Sequence, residues 1–239
     1  MIRTIYVVLI AVPVTIVYAS ITLVVSLIRP GARLAEAAIR AWAGALVRAA
    51  GIDLSIEHED RLDWNSNYIY VANHTSYFDI PVLQSGLRQP IRFLAKKSLF
   101  QIPLFGSALK AAGFIPIDRK NRRTAVQSFD QAAERIRRGK SIVVFPEEGR
   151  SSSREMKPFQ RGAFLLAIKS GVPLVPIAIR GTFELLAVGS RKVRPGPVRI
   201  IIGEPIDVSE YSVRQKEALA NETRSRIEAM LGAAPAERD

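Results

Sequence analysis

An unbroken apolar run opens the chain. The 25 residues 4–28, between Arg3 and Arg29, include no charged side chain. A helix of this length reaches about 37 Å at 1.5 Å per residue, enough for the hydrocarbon core of a bilayer. We expect a retained membrane segment, because the run continues well past Ala19, where a signal peptide ending in Val-Tyr-Ala would be cleaved. Pro13 leaves open whether the segment spans the bilayer or folds back as a re-entrant hairpin.

The next segment, 29–51, is amphipathic with helical spacing. Arg33, Arg40 and Arg48 lie largely outside one apolar stripe, which consists of Leu34, Ala38, Trp42, Ala45, Leu46 and Ala49. Two interpretations fit such a helix. It lies in the membrane interface with Trp42 at the level of the headgroups, or it packs on a soluble domain.

From about residue 52 the pattern changes to short β-branched runs separated by amphipathic stretches. The runs are 53–57, 67–72, 91–95, 114–117, 141–145, 174–179 and 198–203. Strands that alternate with helices indicate a mainly parallel α/β sheet. The clearest helix is 124–139, because Gln127 can complete a capping box with Thr124 and Gly139 can end it. A last helix, over about 212–231, precedes a short polar tail.

The predicted fold class is therefore α/β, a mainly parallel mixed sheet flanked by helices and preceded by an N-terminal membrane-associated helical segment. We assign residues 1–50 to membrane-anchoring helices, 51–212 to the α/β domain, and 213–239 to a C-terminal helix with its tail. Ligands of such sheets bind beyond the carboxyl ends of the strands. The loops at that edge are therefore the candidates for a functional site.

The composition narrows the chemistry. The chain has no cysteine, which excludes disulfides, thiolate zinc sites and cysteine nucleophiles. Its 34 lysine and arginine residues against 22 acidic residues give a net charge of +12, which favours a negatively charged partner. Nucleic acid, anionic lipid headgroups and phosphate-bearing substrates all have that charge. The apolar N-terminus favours lipid over nucleic acid as the partner.

One of the two histidines, His74, lies in a predicted loop five positions before Asp79. Two interpretations remain open. In the first, Asp79 caps a helix that has Pro81 in its first turn, and His74 is a turn residue. In the second, the Asp79 carboxylate accepts the Nδ1–H of His74, and His74 Nε2 removes a proton from a hydroxyl group.

Basic loops follow several of the predicted strands. Residues 92–123 include one acid, Asp118, and eight basic residues: Arg92, Lys96, Lys97, Lys110, Arg119, Lys120, Arg122 and Arg123. We expect the loops to converge on the edge that carries His74, where arginine would bind phosphate through two N–H groups at once. Glu147 is expected to hold its neighbour Arg150 in position. The alternative is a solvated basic face against anionic lipid.

Common nucleotide-binding and hydrolase motifs do not occur in the sequence. Gly139-Lys140-Ser141 is not a P-loop, since Glu134 occupies the place of the first glycine and a predicted strand follows the triplet. Neither G-x-G-x-x-G nor G-x-S-x-G is present.

Four stretches, taken in order, resemble the motifs of the glycerolipid acyltransferase family, most closely its lysophosphatidate acyltransferases. Asn73-His74-x-x-x-x-Asp79 matches the first motif. Residues 113–119 are similar to the second, residues 145–151 to the third, and 175–177 to the fourth. The resemblance covers roughly residues 65–205.

The third motif departs from the usual pattern of the family. The family usually has Phe-Pro-Glu-Gly-Thr-Arg-Ser, whereas this chain has Phe-Pro-Glu-Glu-Gly-Arg-Ser. Glu147 and Arg150 keep the matching places, and Glu148 and Gly149 replace Gly-Thr.

The resemblance implies a role for each of these residues. His74 would be the general base, Asp79 the residue that orients it, and Lys96 a residue that stabilises the oxyanion. Substrate binding would fall to a further set, in which the two arginines contact the acceptor phosphate: Asn73, Arg119, Glu147, Gly149 and Arg150. The reaction would transfer a fatty acyl group from a thioester to a glycerolipid hydroxyl without an acyl-enzyme.

The resemblance also implies the partners and the location. We expect no cofactor and no metal, acyl-CoA or acyl-carrier protein as the donor co-substrate, lysophosphatidate as the acceptor, and no nucleic acid. The protein would work with membrane lipids at an inner or cytoplasmic membrane, with its active site on the cytoplasmic side. Two alternatives stay open: a different lysolipid acceptor, which the Glu148-Gly149 departure suggests, and a catalytically silent protein that binds anionic lipid.

Overall fold

A computed structural model describes residues 1–31, 33–118, 129, 132–136 and 139–232 of the chain. Its first helix, α1, spans Ile2–Ile28 and continues through Pro13, so the re-entrant hairpin does not form. By length and composition this helix can cross a membrane. One side of α1 is covered by protein, and its other side exposes large apolar residues: Ile2, Ile5, Tyr6, Val8, Leu9, Val12, Ile16, Val17, Ile21, Val24, Leu27 and Ile28.

The second helix, α2, spans Arg33–Ala50 and packs against α1 and the domain. Its buried face consists of Ala35, Ala38, Ile39, Ala43, Val47, Ala49 and Ala50. The predicted stripe is therefore rotated from the observed one, since Leu34 is exposed and Trp42 only half-buried. Trp42 Nε1 donates to Thr15 Oγ1 of α1 at 3.0 Å. Of the two interpretations, the structure has the helix packed on the domain.

Seven strands form one sheet within the described residues, in the order β1-β7-β6-β2-β5-β3-β4. Their bounds are Ile52–Glu57 (β1), Ile69–Ala72 (β2), Ile91–Lys96 (β3), Ile115–Ile117 (β4), Ser141–Val144 (β5), Leu174–Arg180 (β6) and Gly196–Ile202 (β7). Neighbours run parallel except β6 and β7, which are antiparallel. Each predicted run overlaps one of these strands, and the mainly parallel mixed sheet is confirmed.

Helices cover both faces of the sheet. Further helices span Asp79–Gly86 (α3), Phe105–Ala111 (α4), Gly162–Ser170 (α5), Thr182–Leu185 (α6) and Lys216–Gly232 (α7). Strand β2 shows the two layers, because side chains along a strand alternate between its faces. Tyr70 packs in the core with α1 to α4, whereas Ile69 packs in the core with α5 and α7. A sheet buried on both faces explains why its strands have continuous apolar runs.

The predicted C-terminal part packs on the sheet. Helix α7 begins at Lys216 and lies against β6, and Arg180 donates to the carbonyl oxygen of Leu231. In the predicted helix 124–139, residues 129 and 132–136 are helical and Gly139 has a φ of 88°. Thr124 and Gln127, the predicted capping pair, lie outside the described residues.

Candidate active site

The loop after β2 brings His74 and Asp79 together. The strand ends at Ala72, and α3 begins at Asp79, whose side chain is fully buried. His74 Nδ1 lies 2.7 Å from Asp79 Oδ2. The same oxygen accepts the backbone N–H groups of Thr75 and Ser76, each at 2.8 Å. Three donors therefore fix one carboxylate oxygen, and it can accept the Nδ1–H of the imidazole.

The capping interpretation of Asp79 is wrong. The residue that caps α3 is Phe78, and no side chain makes a capping hydrogen bond there. Pro81 lies in the first turn of the helix, as predicted, where a missing N–H has no cost. Asp79 Oδ1 is buried without a hydrogen-bond partner among the residues that the structure describes. The carboxylate thus faces back towards the loop and His74.

The imidazole of His74 is held on several sides. Its ring stacks on Phe145 with 4.1 Å between centroids and an angle of 15° between planes. The backbone N–H of His74 donates to Glu147 Oε1 at 2.7 Å, and its carbonyl accepts from the N–H of Ser151 at 2.7 Å. Only 14% of the side chain is exposed. Within the described residues Nε2 has no hydrogen-bond partner, so it is the ring atom available for proton transfer.

Glu147 has a structural connection that the sequence did not indicate. Besides the N–H of His74, it accepts the N–H of Lys157 at 2.8 Å through Oε2. Burial raises the pKa of Glu147, although the two backbone N–H groups act in the opposite direction. Among the described residues no hydrogen bond or ion pair joins Glu147 to Arg150, so the predicted contact is not observed, and the carboxylate binds the N–H groups of His74 and Lys157 instead. The residue ties the loop after β5 to the loop after β2.

Arg150 lies near the pair of His74 and Asp79, called the dyad below, and its guanidinium covers an aromatic ring. Its guanidinium carbon is 3.4 Å from the ring centroid of Tyr77, a residue between His74 and Asp79. Its carbonyl oxygen accepts from Lys157 Nζ at 2.7 Å. The structure therefore brings the predicted arginine to the dyad, by a contact that the sequence analysis missed.

Asn73 binds the neighbouring strand. Its amide Nδ2 donates to the carbonyl of Ile179 at 3.0 Å, and its Oδ1 accepts the N–H of Ile179 at 2.7 Å. Both ends of this buried amide are thereby occupied by β6. The predicted substrate contact of Asn73 stays a prediction, while its observed contacts anchor the start of the loop.

The departure in the third motif coincides with an unusual backbone conformation. Glu148 has a φ of 54°, in the left-handed region that glycine adopts more easily than other residues. Gly149 has open space where a Cβ atom would stand. The usual order of the family, Gly-Thr, would therefore suit this backbone better than Glu-Gly does.

The remaining basic residues are divided between this edge and other places. Lys96 is the last residue of β3 and is exposed at the carboxyl edge of the sheet. Arg119 lies outside the described residues, as do Lys120, Arg122 and Arg123. The expected convergence is wrong for Arg92, which is buried and pairs with Glu36 of α2. Lys97 forms an ion pair with Asp118 at 3.4 Å.

An apolar cavity of about 700 Å³ adjoins the loop that carries His74 and Asp79, the dyad loop. Helices α1 to α4 and strand β3 enclose it, and Tyr77 and Phe78 of the dyad loop contribute to its wall. Phe93, another wall residue, stacks on Phe145 with 5.8 Å between centroids, and Phe145 stacks on His74. The cavity can therefore hold an apolar chain close to the dyad, from which Phe93 and Phe145 separate it on this side. No local pattern in the sequence indicates its position, since its lining comes from elements far apart in the chain.

The fold and the site together define an α/β protein that can activate a hydroxyl group with a histidine–aspartate dyad next to an apolar cavity. A family model described as Acyltransferase matches residues 53–180, more than half of the chain. The chain belongs to the Acyltransferase family, which confirms the resemblance read from the motifs.

Two relatives and one solved structure illustrate the similarity. The chain is 38% identical over 160 residues to the chloroplastic 1-acyl-sn-glycerol-3-phosphate acyltransferase BAT2 of Brassica napus, a match that covers 66% of this chain and 45% of the relative. It is 32% identical over 186 residues to the 1-acyl-sn-glycerol-3-phosphate acyltransferase of Escherichia coli (strain K12), covering 77% and 75%. The match thus spans less than half the length of the plant relative.

The solved structure is that of the 1-acyl-sn-glycerophosphate (LPA) acyltransferase PlsC from Thermotoga maritima. It matches with a TM-score of 0.81 at 24% identity and covers 98% of this chain and 97% of that chain. The two proteins therefore share the fold, including the N-terminal helices. The exposed apolar face of α1 and the bacterial relatives indicate membrane association.

Proposed function

We propose that the protein is a membrane-associated acyltransferase that moves a fatty acyl group from an acyl thioester to the free hydroxyl of lysophosphatidate. The product would be phosphatidate for phospholipid synthesis. One observation carries the proposal: His74 Nδ1 and Asp79 Oδ2 lie 2.7 Å apart beside an apolar cavity of about 700 Å³. The printed names of the relatives support the choice of lysophosphatidate as the acceptor.

The dyad would act as a base and then as an acid. Asp79 keeps the proton of His74 on Nδ1, so Nε2 can take the proton of the acceptor hydroxyl. The hydroxyl oxygen attacks the thioester carbonyl carbon and forms a tetrahedral intermediate. Its collapse forms the ester, breaks the carbon–sulfur bond, and returns the proton from the imidazolium to the thiolate. The buried Asp79 carboxylate stabilises the imidazolium between the two proton transfers.

Three cationic side chains would bind the charges of the reaction. Lys96, exposed at the carboxyl end of β3, is proposed to stabilise the oxyanion of the tetrahedral intermediate. Arg119 and Arg150 are proposed to bind the acceptor phosphate, because a guanidinium can donate two parallel hydrogen bonds to it. Support for Arg150 comes from its place on Tyr77, within the dyad loop.

The cavity would bind the fatty acyl chain. Its wall is almost entirely apolar, so each methylene that enters it gains about 0.8 kcal/mol, roughly fourfold in affinity. The donor is acyl-CoA or acyl-carrier protein, and neither choice requires a cofactor. The basic surface, part of a net charge of +12, suits either anionic donor.

We place the protein at an inner or cytoplasmic membrane with its active site on the cytoplasmic side, where thioester donors are made. The exposed apolar side of α1 supports contact with membrane lipids. A second acceptor, a different lysolipid, is favoured by Glu148, whose carboxylate replaces a glycine of the usual motif. An anionic residue at that place would suit an acceptor that carries a cationic group.

The experiment is a transfer assay with a donor panel and an acceptor panel. Purified full-length protein in detergent is incubated with labelled acyl-CoA and acyl-carrier protein thioesters, and the products are read by mass spectrometry. The acceptors are lysophosphatidate, lysophosphatidylcholine, lysophosphatidylethanolamine and an amine-bearing lysolipid without phosphate. Phosphatidate as the main product supports the proposal. Transfer to another acceptor only would select the second candidate, and no transfer with any pair would reject both.

A further inference from the structure

Tyr77 is the exposed residue of the dyad loop. Its relative exposure is 64%, although the two residues after it, Phe78 and Asp79, are buried. An aromatic ring that stays exposed to water forgoes the free energy gained by burying its apolar surface, so its position is expected to have a function. Arg150 covers the face of the ring, with its guanidinium carbon 3.4 Å from the centroid. The exposed ring therefore serves as a platform for this guanidinium.

The contact with Tyr77 positions the guanidinium of Arg150 without using its N–H groups. A guanidinium that stacks on an aromatic ring uses its flat face and keeps its in-plane N–H groups for other acceptors. Among the described residues no hydrogen bond from the Arg150 side chain is present. Arg92 contrasts with it, since that guanidinium binds Glu36 and the carbonyl of Ala112. Within the described residues the in-plane N–H groups of Arg150 therefore remain available to a ligand, whereas those of Arg92 bind other residues of the protein.

Both partners of the stack lie in loops that hydrogen bonds hold in place. Tyr77 lies in a loop that is pinned on its far side, because Ser76 Oγ donates to the carbonyl of Leu186 at 2.9 Å. Arg150 directly precedes Ser151, whose N–H donates to the carbonyl of His74 at 2.7 Å. The ring and the guanidinium thus have a defined position relative to the imidazole.

We propose that Tyr77 is a positioning residue that holds the Arg150 guanidinium beside the dyad with its N–H groups directed to the phosphate monoester of the acceptor. This inference rests on the proposed function and adds a residue that determines how the acceptor binds. The aromatic ring is the necessary part, and the phenol hydroxyl is not. Tyr77 also lines the apolar cavity, but its effect on the phosphate is exerted through Arg150.

The expected size of the effect follows from the strength of such stacks. A cation–π contact at an exposed site contributes about 0.5–1 kcal/mol, which corresponds to roughly a two- to fivefold change in KM for the acceptor. Arg150→Ala removes the phosphate contact itself and should raise this KM by roughly ten- to hundredfold. In Tyr77→Phe, which keeps the aromatic ring under the guanidinium, the KM for the acceptor should stay within about twofold of the wild-type value.

The test compares five variants of the full-length protein in the same assay. Tyr77→Phe keeps the ring, Tyr77→Leu removes it, and Arg150→Ala is made alone and together with Tyr77→Leu. Phe183→Leu is the matched control, because Arg154 lies over Phe183 at 6.0 Å but already pairs with Glu184. Binding of lysophosphatidate is measured by calorimetry in parallel, so that recognition is read without turnover.

The expected results are specific to the stack. Tyr77→Leu weakens lysophosphatidate binding two- to fivefold, Tyr77→Phe and Phe183→Leu do not, and Tyr77→Leu has no further effect once Arg150 is alanine. Equal losses in Tyr77→Phe and Tyr77→Leu, or a Tyr77→Leu effect that persists without Arg150, overturn the inference. Wild-type protein that binds lysophosphatidate but transfers no acyl group would reject the proposed function and leave the binding comparison to decide on Tyr77. Wild-type protein that does not bind it overturns both.

Discussion

The two loops that form the site hold their side chains in different ways. In the loop after β2, Asp79 takes hydrogen bonds from Thr75, Ser76 and His74, all within five positions along the chain. In the loop after β5, the strand next to β2, Glu147 binds His74, 73 positions away in sequence. The orientation of the base is therefore a local property, while the position of the cations depends on contacts between loops. The first arrangement can be read from a short motif, and the second cannot.

The largest expected effect is the loss of the base in the local loop. His74→Ala should lower acyl transfer by roughly 10²–10⁴-fold, because a general base contributes that much. Asp79→Asn should be similarly harmful, since an amide cannot fix the same tautomer. The measurement is initial rate in the transfer assay, with circular dichroism and thermal unfolding as controls for folding. If His74→Ala kept more than about a tenth of the wild-type rate, the loss would be smaller than a general base accounts for, and the assignment of His74 as the base would be rejected.

The next effect tests a cation outside both loops. Lys96→Ala should lower kcat by roughly 10²–10³-fold if its ammonium group stabilises the oxyanion. Lys97→Ala is the matched control, because the adjacent lysine is exposed and pairs with Asp118. The pair of variants is compared at saturating donor and acceptor. Equal rates in the two variants would show that the oxyanion is stabilised by other groups.

Breaking the link between the loops should have a smaller effect, seen in stability. The Glu147 carboxylate accepts the backbone N–H groups of His74 and Lys157. In Glu147→Gln one of these N–H groups faces the NH₂ group of the amide and loses its acceptor, which should lower the free energy of unfolding by about 1–3 kcal/mol. The measurement is the midpoint of chemical denaturation. The change should also lower kcat, because His74 loses a backbone contact. Unchanged stability and rate together would mean that the link does not matter.

The same variant has a signature in pH. Burial raises the pKa of Glu147 above its ordinary value of 4.5, so ionisation of this carboxyl opposes folding. Its contribution to the free energy of unfolding is fully present below the unfolded-state pKa and is lost as the pH rises through the higher native pKa. Glu147→Gln should remove this decline from the stability profile above pH 4.5. A wild-type profile that rises over the same range in proportion to Glu147 ionisation would contradict the assignment.

The smallest expected effect concerns the unusual backbone in the second loop. Glu148→Gly should stabilise the protein by up to about 1 kcal/mol, because glycine removes the strain of a positive φ but also gains freedom in the unfolded chain. Gly149→Ala is the control, since a Cβ atom there meets open space. Thermal unfolding measures both. A loss of stability in Glu148→Gly would show that the glutamate side chain makes a stabilising contact.

The sequence predicted the fold well because its signals were local. All seven strands coincide with short β-branched runs, and a sheet buried on both faces produces such runs directly. The pairing of His74 with Asp79 was also within reach, since five positions in a loop allow contact. The buried face of α2 was misplaced, because alanine-rich helices have little contrast between their sides. Tertiary packing alone decides which side is covered.

The rest of the site depends on long-range contacts that no local pattern encodes. Arg150 rests on Tyr77, and Asn73 pairs with Ile179, a residue 106 positions away. The function of Glu147 as a link between loops needed the position of Lys157 as well. In each case the sequence identified the residue and its chemical type but could not identify the partner.

The three hydrogen bonds that meet at Asp79 Oδ2 fix the number of residues in this turn. Its three donors, two peptide N–H groups and one imidazole N–H, stand at fixed intervals of three, four and five residues before the acceptor. A different side chain at position 75 or 77 leaves those intervals intact. A residue inserted or deleted between Ser76 and Asp79 shifts all three donors at once, however conservative its chemistry. This segment should therefore tolerate substitutions at positions 75 and 77 but not insertions or deletions.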